Sequence, residues 1–112
     1  MALPKLIPSA SIRNPEVKAL AEDARKFLAN QSWCRSVDAV YLGWAIAGVV
    51  GVFLARHTPV RPGIDSALWI VVGDLPPAYL VHNGNPTWLE ALQAYVAEME
   101  RWVSAVRSGE PL

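Results

Sequence analysis

This sequence has almost no cysteine, only two histidines and no concentration of charge of one sign. Each shortage excludes a class of function. Cys34 is the only thiol, so neither an intrachain disulfide nor a multi-cysteine metal site can form, and a reducing compartment suits the chain. His57 and His82 lie far apart, and the scattered acids complete no metal-ligand spacing with them; no metal and no cofactor is expected. Ten Lys and Arg balance ten Asp and Glu, and the basic residues are spread from Lys5 to Arg107 without a run. Nothing supplies the positive footprint that a phosphate backbone requires, so nucleic acid is not an expected partner. Glycine-rich phosphate loops and a GxSxG elbow are also missing. The N-terminus carries Pro4 and Pro8 and no long apolar stretch behind its first positive charge, which makes it a poor secretory signal. The expected location is cytoplasmic. No repeat of 20 to 50 residues and no low-complexity tract divides the chain.

What the chain has in excess is apolar surface. Hydrophobic residues make up 53% of its 112 residues and charged ones only 18%, more apolar than the usual soluble balance. A single domain of this length hides roughly two thirds of the surface its unfolded chain exposes, which leaves room for a self-association surface. Residues 39–55 carry no charge, close to the ~17-residue minimum for a bilayer-spanning helix. Gly43, Gly48 and Gly51, together with the β-branched Val40, Ile46, Val49, Val50 and Val52, argue instead for a hairpin turning at residues 45–48, with strands over residues 37–44 and 49–57. No membrane contact is expected on that reading.

The flanks of this apolar middle are helical. Asn14, Pro15 and Glu16 form a helix start: an amide to cap free N–H groups, a ring preset for the first turn, and an acid at the positive dipole end. Val17, Leu20, Ala21, Ala24, Phe27 and Leu28 then follow one helical stripe to about Asn30. Asn85, Pro86 and Thr87 repeat that opening. Trp88, Leu92, Tyr95, Val96, Met99, Trp102, Val103 and Val106 hold helical spacing up to a stop at Gly109 and Pro111. Between the two, residues 67–72 are apolar without interruption and meet Gly73, Asp74, Pro76 and Pro77, which end the strand in a corner. A short edge strand follows, and the chain turns at Asn83, Gly84 and Asn85. The expected architecture is α+β: an irregular arm over residues 1–13, then one domain over 14–112 built as a two-layer sandwich of helix, three to four mostly antiparallel strands and helix, with both helices on one side.

Asp74 is the leading candidate for chemistry. It presents a carboxylate at a strand end beside a glycine that permits close backbone approach, which suits an acid, a base or a ligand anchor; the commoner role for such an aspartate is to fix a turn by accepting its backbone N–H groups. His57 is the second candidate, and a Ser66, His57, Asp74 set can be assembled on paper. Cys34 reads as a small buried hydrophobe rather than a nucleophile. A corner formed by Gly73, Asp74, Pro76 and Tyr79, with Trp69 and Tyr41 as aromatic anchors, is the expected binding surface. If one sheet face lacks a helix, Tyr41, Phe53 or Trp69 must meet water or a second chain, which makes a homodimer through that face the expected assembly.

The run WIVVGDLPPAY at residues 69–79 resembles the W-[VI]-[IV]-x-G-D-L-P-x-x-Y core of a family of small bacterial proteins classed as a domain of unknown function. VGVFLARHTPVRPG at residues 50–63 looks like the strand and Pro-Gly loop leading into it. The resemblance implies a soluble bacterial protein and supplies no activity or site residue. The function expected is a non-enzymatic interaction module that self-associates, with a possible protein partner. The alternatives are a small-ligand-binding protein or enzyme built around Asp74, and, by analogy of size, an immunity or antitoxin-like inhibitor.

Overall fold

The computed structural model describes residues 6–82 and 86–108. The first helix, α1, spans Pro15–Ala29, and Asn14 caps it as its sequence requires: Oδ1 accepts from the Glu16 N–H at 2.9 Å and the Val17 N–H at 3.1 Å. Its buried stripe is Val17, Leu20, Ala21, Ala24 and Leu28. The uncharged middle folds back on itself as a hairpin of β2 (Cys34–Ile46) and β3 (Val50–Pro59), then β4 (Ala67–Gly73) and β5 (Ala78–Val81) continue the antiparallel meander. The last helix, α2, runs over Trp88–Ser108. Its cap is Thr87, whose Oγ1 accepts from the Glu90 N–H at 3.2 Å and donates to the Glu90 carboxylate at 3.3 Å, which satisfies a free N–H of the first turn. The expected cap contribution of Asn85, the turn at Asn83 and Gly84, and the stop at Gly109 and Pro111 lie outside the described residues. Among the described residues, no helix is long and apolar enough to cross a membrane.

Two expectations are corrected. The sheet has five strands rather than three or four, because Ile7–Pro8 of the supposedly irregular arm pairs as an edge strand, β1, with Leu42 and Tyr41. A proline is tolerated there because an edge strand need not donate outward. Ile12, after a short 3-10 turn, then drops into the core.

The second correction concerns layers. In an antiparallel ladder, facing residues share a side of the sheet. Phe53 with Ile70 and Ala55 with Leu68 lie under α1, whereas Val52 with Val71 and Leu54 with Trp69 lie under α2. The helices therefore cover opposite faces, and the fold is a three-layer α/β/α sandwich, not a two-layer one. Neither face of the sheet is left open for pairing with another chain: Phe53 and Trp69 are both buried. The physical cause is in β3 and β4, which are apolar at successive positions and therefore need cover on both sides.

Gly43 makes the α2 side fit. It sits at a register shift in β2 between Leu42 and Trp44, and a Cβ there would lie 2.8 Å from the Trp88 Cβ and 3.0 Å from the Trp69 ring. Without that side chain, Trp88 stacks on Trp44 with ring centroids 5.4 Å apart and planes 7° from parallel, closing the sheet–helix layer at the start of α2.

Candidate interaction surface

The residues picked out by sequence for chemistry are not brought together. Gly73 pairs with Val50 at one end of the sheet, whereas His57 lies seven residues further along β3, about 23 Å away at strand rise. His57 is buried at 2% exposure, packs edge-on against Trp33 at 5.3 Å and shares 2.6 Å between Nε2 and the Asp65 carbonyl. Its Nδ1 is buried without a partner. Ser66 stands beside it only through its own backbone carbonyl, which accepts from the His57 N–H at 2.9 Å. His82 is on the other face, 6.0 Å from the Trp69 ring. A Ser66, His57, Asp74 constellation is thus spread over opposite ends of the sheet. Among the described residues no group of three or more His, Cys, Asp or Glu could hold a metal ion.

The corner itself has a structural job. Asp74 is exposed, and its backbone N–H donates to the Val49 carbonyl at 2.8 Å, tying the end of β4 to the hairpin turn between β2 and β3. Of the aromatic anchors expected around it, Trp69 is core, and Tyr41 is half-buried on β2 opposite Leu54. Tyr79 is exposed on the α1 side, with Trp33 5.1 Å and Phe27 6.3 Å away. It lines an open cleft of about 270 Å³ with Trp33, Arg61, Asp65 and Leu68.

Electrostatics at the far end of the sheet favour inertness. Burial, and then the charge of Asp38, push the Cys34 thiol up, away from the thiolate form that attacks. The Asp38 carboxylate accepts from Thr58 Oγ1 at 2.7 Å and Ser36 Oγ at 2.9 Å, and these bonds hold its carboxyl below the usual range.

Pro76 joins the corner to α2. Tyr95, buried under the helix, donates its hydroxyl to the Pro76 carbonyl at 2.8 Å, and burial pushes that hydroxyl up. The corner is thereby pinned to α2. One turn further, Pro76, Glu98, Met99 and Trp102 line an open groove of about 440 Å³.

The helix outruns its support. Trp88, Ala91, Leu92, Tyr95 and Met99 pack on the sheet, but beyond Met99 the same stripe continues through Trp102, Val103 and Val106, which are 52%, 39% and 50% exposed. Val96 flanks them and is also exposed. Nine residues past Met99 carry the helix about 14 Å beyond its last core contact. A second groove, of about 400 Å³, runs along the flank between Val96 and Val103 with Glu100 and Arg107 on its rim.

The helical spacing of Met99, Trp102, Val103 and Val106 marks one apolar stripe and does not show that only its first half meets the sheet. The signal that separates the two halves is length: a 21-residue helix spans about 31 Å, more than the short strand β5 beside it can support. Comparison with known protein families, curated proteins and solved structures returns no match for this chain.

Proposed function

We propose that this protein is a non-enzymatic interaction module that self-associates, with the overhanging half of α2 and the adjoining Pro76 corner as its docking surface. The observation that carries the reading is the unsupported stripe Trp102, Val103 and Val106, which keeps core chemistry where there is no core. From their fractional exposures, these residues with Val96 present roughly 350 Å² of apolar surface, in the range where a patch on a single chain marks an interaction site. A half-exposed tryptophan in the middle of it is the residue type that most often anchors an interface. The separation of Asp74 from both histidines favours a binding role over a catalytic one.

The test is light scattering on the intact chain across micromolar concentrations, with Trp102→Asp beside it. The native chain should show a mass above that of one copy that falls on dilution, and Trp102→Asp should weaken association at least about tenfold, the order expected when a hot-spot aromatic is lost. A native chain that is monomeric throughout would sink self-association and move the reading to a foreign partner on the same stripe, as an immunity-like inhibitor would use.

A second reading, a small-ligand-binding protein, has one observation in its favour and shifts the site away from Asp74. The cleft of Trp33, Leu68 and Tyr79 adjoins His57 through Trp33 and Asp65, and that histidine has a buried nitrogen without a partner, a type of group that native interiors seldom leave unsatisfied. It predicts that a flat, apolar small molecule quenches Trp fluorescence in the native chain and not in Tyr79→Ala; identical quenching in both would remove it.

A further inference from the structure

The geometry points to a specific mode of pairing: the overhanging ends of two α2 helices lie antiparallel about a two-fold axis near Val103, each Glu100 meeting the Arg107 of the second copy. This deepens the self-association reading and rests on it.

The first support is the pattern of the helix. Leu89, Leu92, Val96, Met99, Val103 and Val106 recur at alternating spacings of three and four, the repeat that brings one helix seam against another. In the first half of α2 that repeat runs beside the face docked on the sheet. In the second half Val103 and Val106 are exposed and belong to neither core cluster. An antiparallel partner centred on Val103 sets Val103 against its own counterpart and brings Val106 to within one residue of level with the partner's Met99, where sheet support ends, so both copies bury Val103 and Val106.

Charge is the second support, and it selects a copy of this chain over a foreign surface. Glu100 and Arg107 are one heptad apart and therefore on the same flank of the seam, both exposed, and both on the rim of the Val96–Val103 groove. Among the described residues the only ion pair is Arg101 with Glu98, so neither Glu100 nor Arg107 has an ionic partner among them. A two-fold axis near Val103 puts position 100 of one helix level with position 107 of the other to within about 2 Å along the axis, and does so twice. The flank is thus complementary to itself. A uniformly acidic or basic partner would meet one charge and repel the other. The formal net charge of zero adds no long-range repulsion between copies.

Two patches of roughly 350 Å² sum to about 700 Å², below the ~1,200 Å² of the smallest stable specific interfaces, so the dimer is expected to be weak and reversible.

The experiment is a charge-reversal cycle on the full chain, read by sedimentation equilibrium, with far-UV circular dichroism to show that each variant keeps its helices. Glu100→Arg and Arg107→Glu, each placing like charges together twice per dimer, should each raise the dissociation constant about tenfold. The double variant Glu100→Arg/Arg107→Glu should return it to within about threefold of the native value, because the pairs re-form with their signs exchanged. In a Cys34→Ser background, Val103→Cys should be cross-linked copy to copy by a short bis-maleimide. A dimer weakened by Trp102→Asp but showing no restoration in the double variant and no Val103→Cys cross-link would overturn the antiparallel geometry and leave self-association through the stripe standing. A dimer indifferent to Trp102→Asp would overturn the surface as well. A chain that remains monomeric at about 200 µM, well above any dissociation constant of functional weight, would overturn the geometry together with the reading beneath it.

Discussion

Trp69→Ala is expected to cost the protein most of its stability rather than any binding activity. Trp69 is 1% exposed and is the largest of the fully buried side chains. It lies on the α2 face between Leu54 and Leu80 across its two neighbouring strands, and its ring reaches Gly43 of β2. Removing an indole from such a site forfeits about 3–5 kcal/mol, because the surrounding strands are hydrogen-bonded and cannot close around the void. A domain of this size is stable by only about 5–15 kcal/mol. The urea midpoint should therefore fall by more than about 1 M at an ordinary slope, or the cooperative transition should vanish at 37 °C. Trp69→Phe should sit between the two, since it keeps the ring and loses part of the volume. A fall of less than about 1 kcal/mol on Trp69→Ala would mean that α2 does not rest on the sheet in this way, and the overhang, which begins where that support ends, would not exist as a docking surface.

The same residue shows how far sequence carries. The strand that holds Trp69, its abrupt end, the hairpin before it and both helices follow from local rules: turn glycines, helical spacing, and an Asn-Pro-Glu start that caps α1 at Asn14. These features depend on neighbours within a few residues, so the sequence displays them directly. Which side of the sheet each helix covers is not local. Helical periodicity identifies an apolar stripe without saying which face receives it. The decisive clue was instead in the strands, where Val52 and Phe53, or Ile70 and Val71, are apolar at consecutive positions and so demand cover on two sides. Reading Trp69 as a surface anchor came from missing that demand.

Two further features could not be read locally for distinct reasons. The edge strand Ile7–Pro8 is specified by its partner, Tyr41–Leu42, and a two-residue pairing through a proline leaves no periodic trace. The division of α2 into a docked and an overhanging half depends on the dimensions of the sheet, which exist only after the chain has folded. Val103 and Leu92 look alike in sequence, yet Leu92 packs on the core and Val103 faces solvent.

Gly73→Ala should be nearly as damaging as the loss of Trp69, whereas Asp74→Asn next to it should be almost silent. Gly73 has φ of +141°, a conformation that side-chain-bearing residues rarely adopt. A Cβ there would overlap the Val49 carbonyl oxygen and stand 2.7 Å from the Val50 Cα. All of these neighbours are backbone atoms of the hairpin turn and the start of β3, so no side-chain rotation relieves the overlap. The strained conformation costs about 1–3 kcal/mol, and forcing the turn aside also breaks the Asp74 N–H bond to the Val49 carbonyl, worth about 1 kcal/mol. A total loss of about 2–4 kcal/mol is expected in chemical denaturation. Asp74→Asn preserves the backbone bond and changes only an exposed side chain, so its effect should stay within about 0.5 kcal/mol, and the dissociation constant of the proposed dimer should not move. The contrast explains why glycine and aspartate occur together at this corner without invoking catalysis: the first is required by the closeness of a neighbouring backbone, and the second supplies an N–H in the right place with a side chain that water accepts. If Asp74→Asn instead weakened self-association by tenfold or more while leaving stability intact, the carboxylate would be part of the docking surface, and the boundary of that surface would have to extend from Pro76 back along the corner.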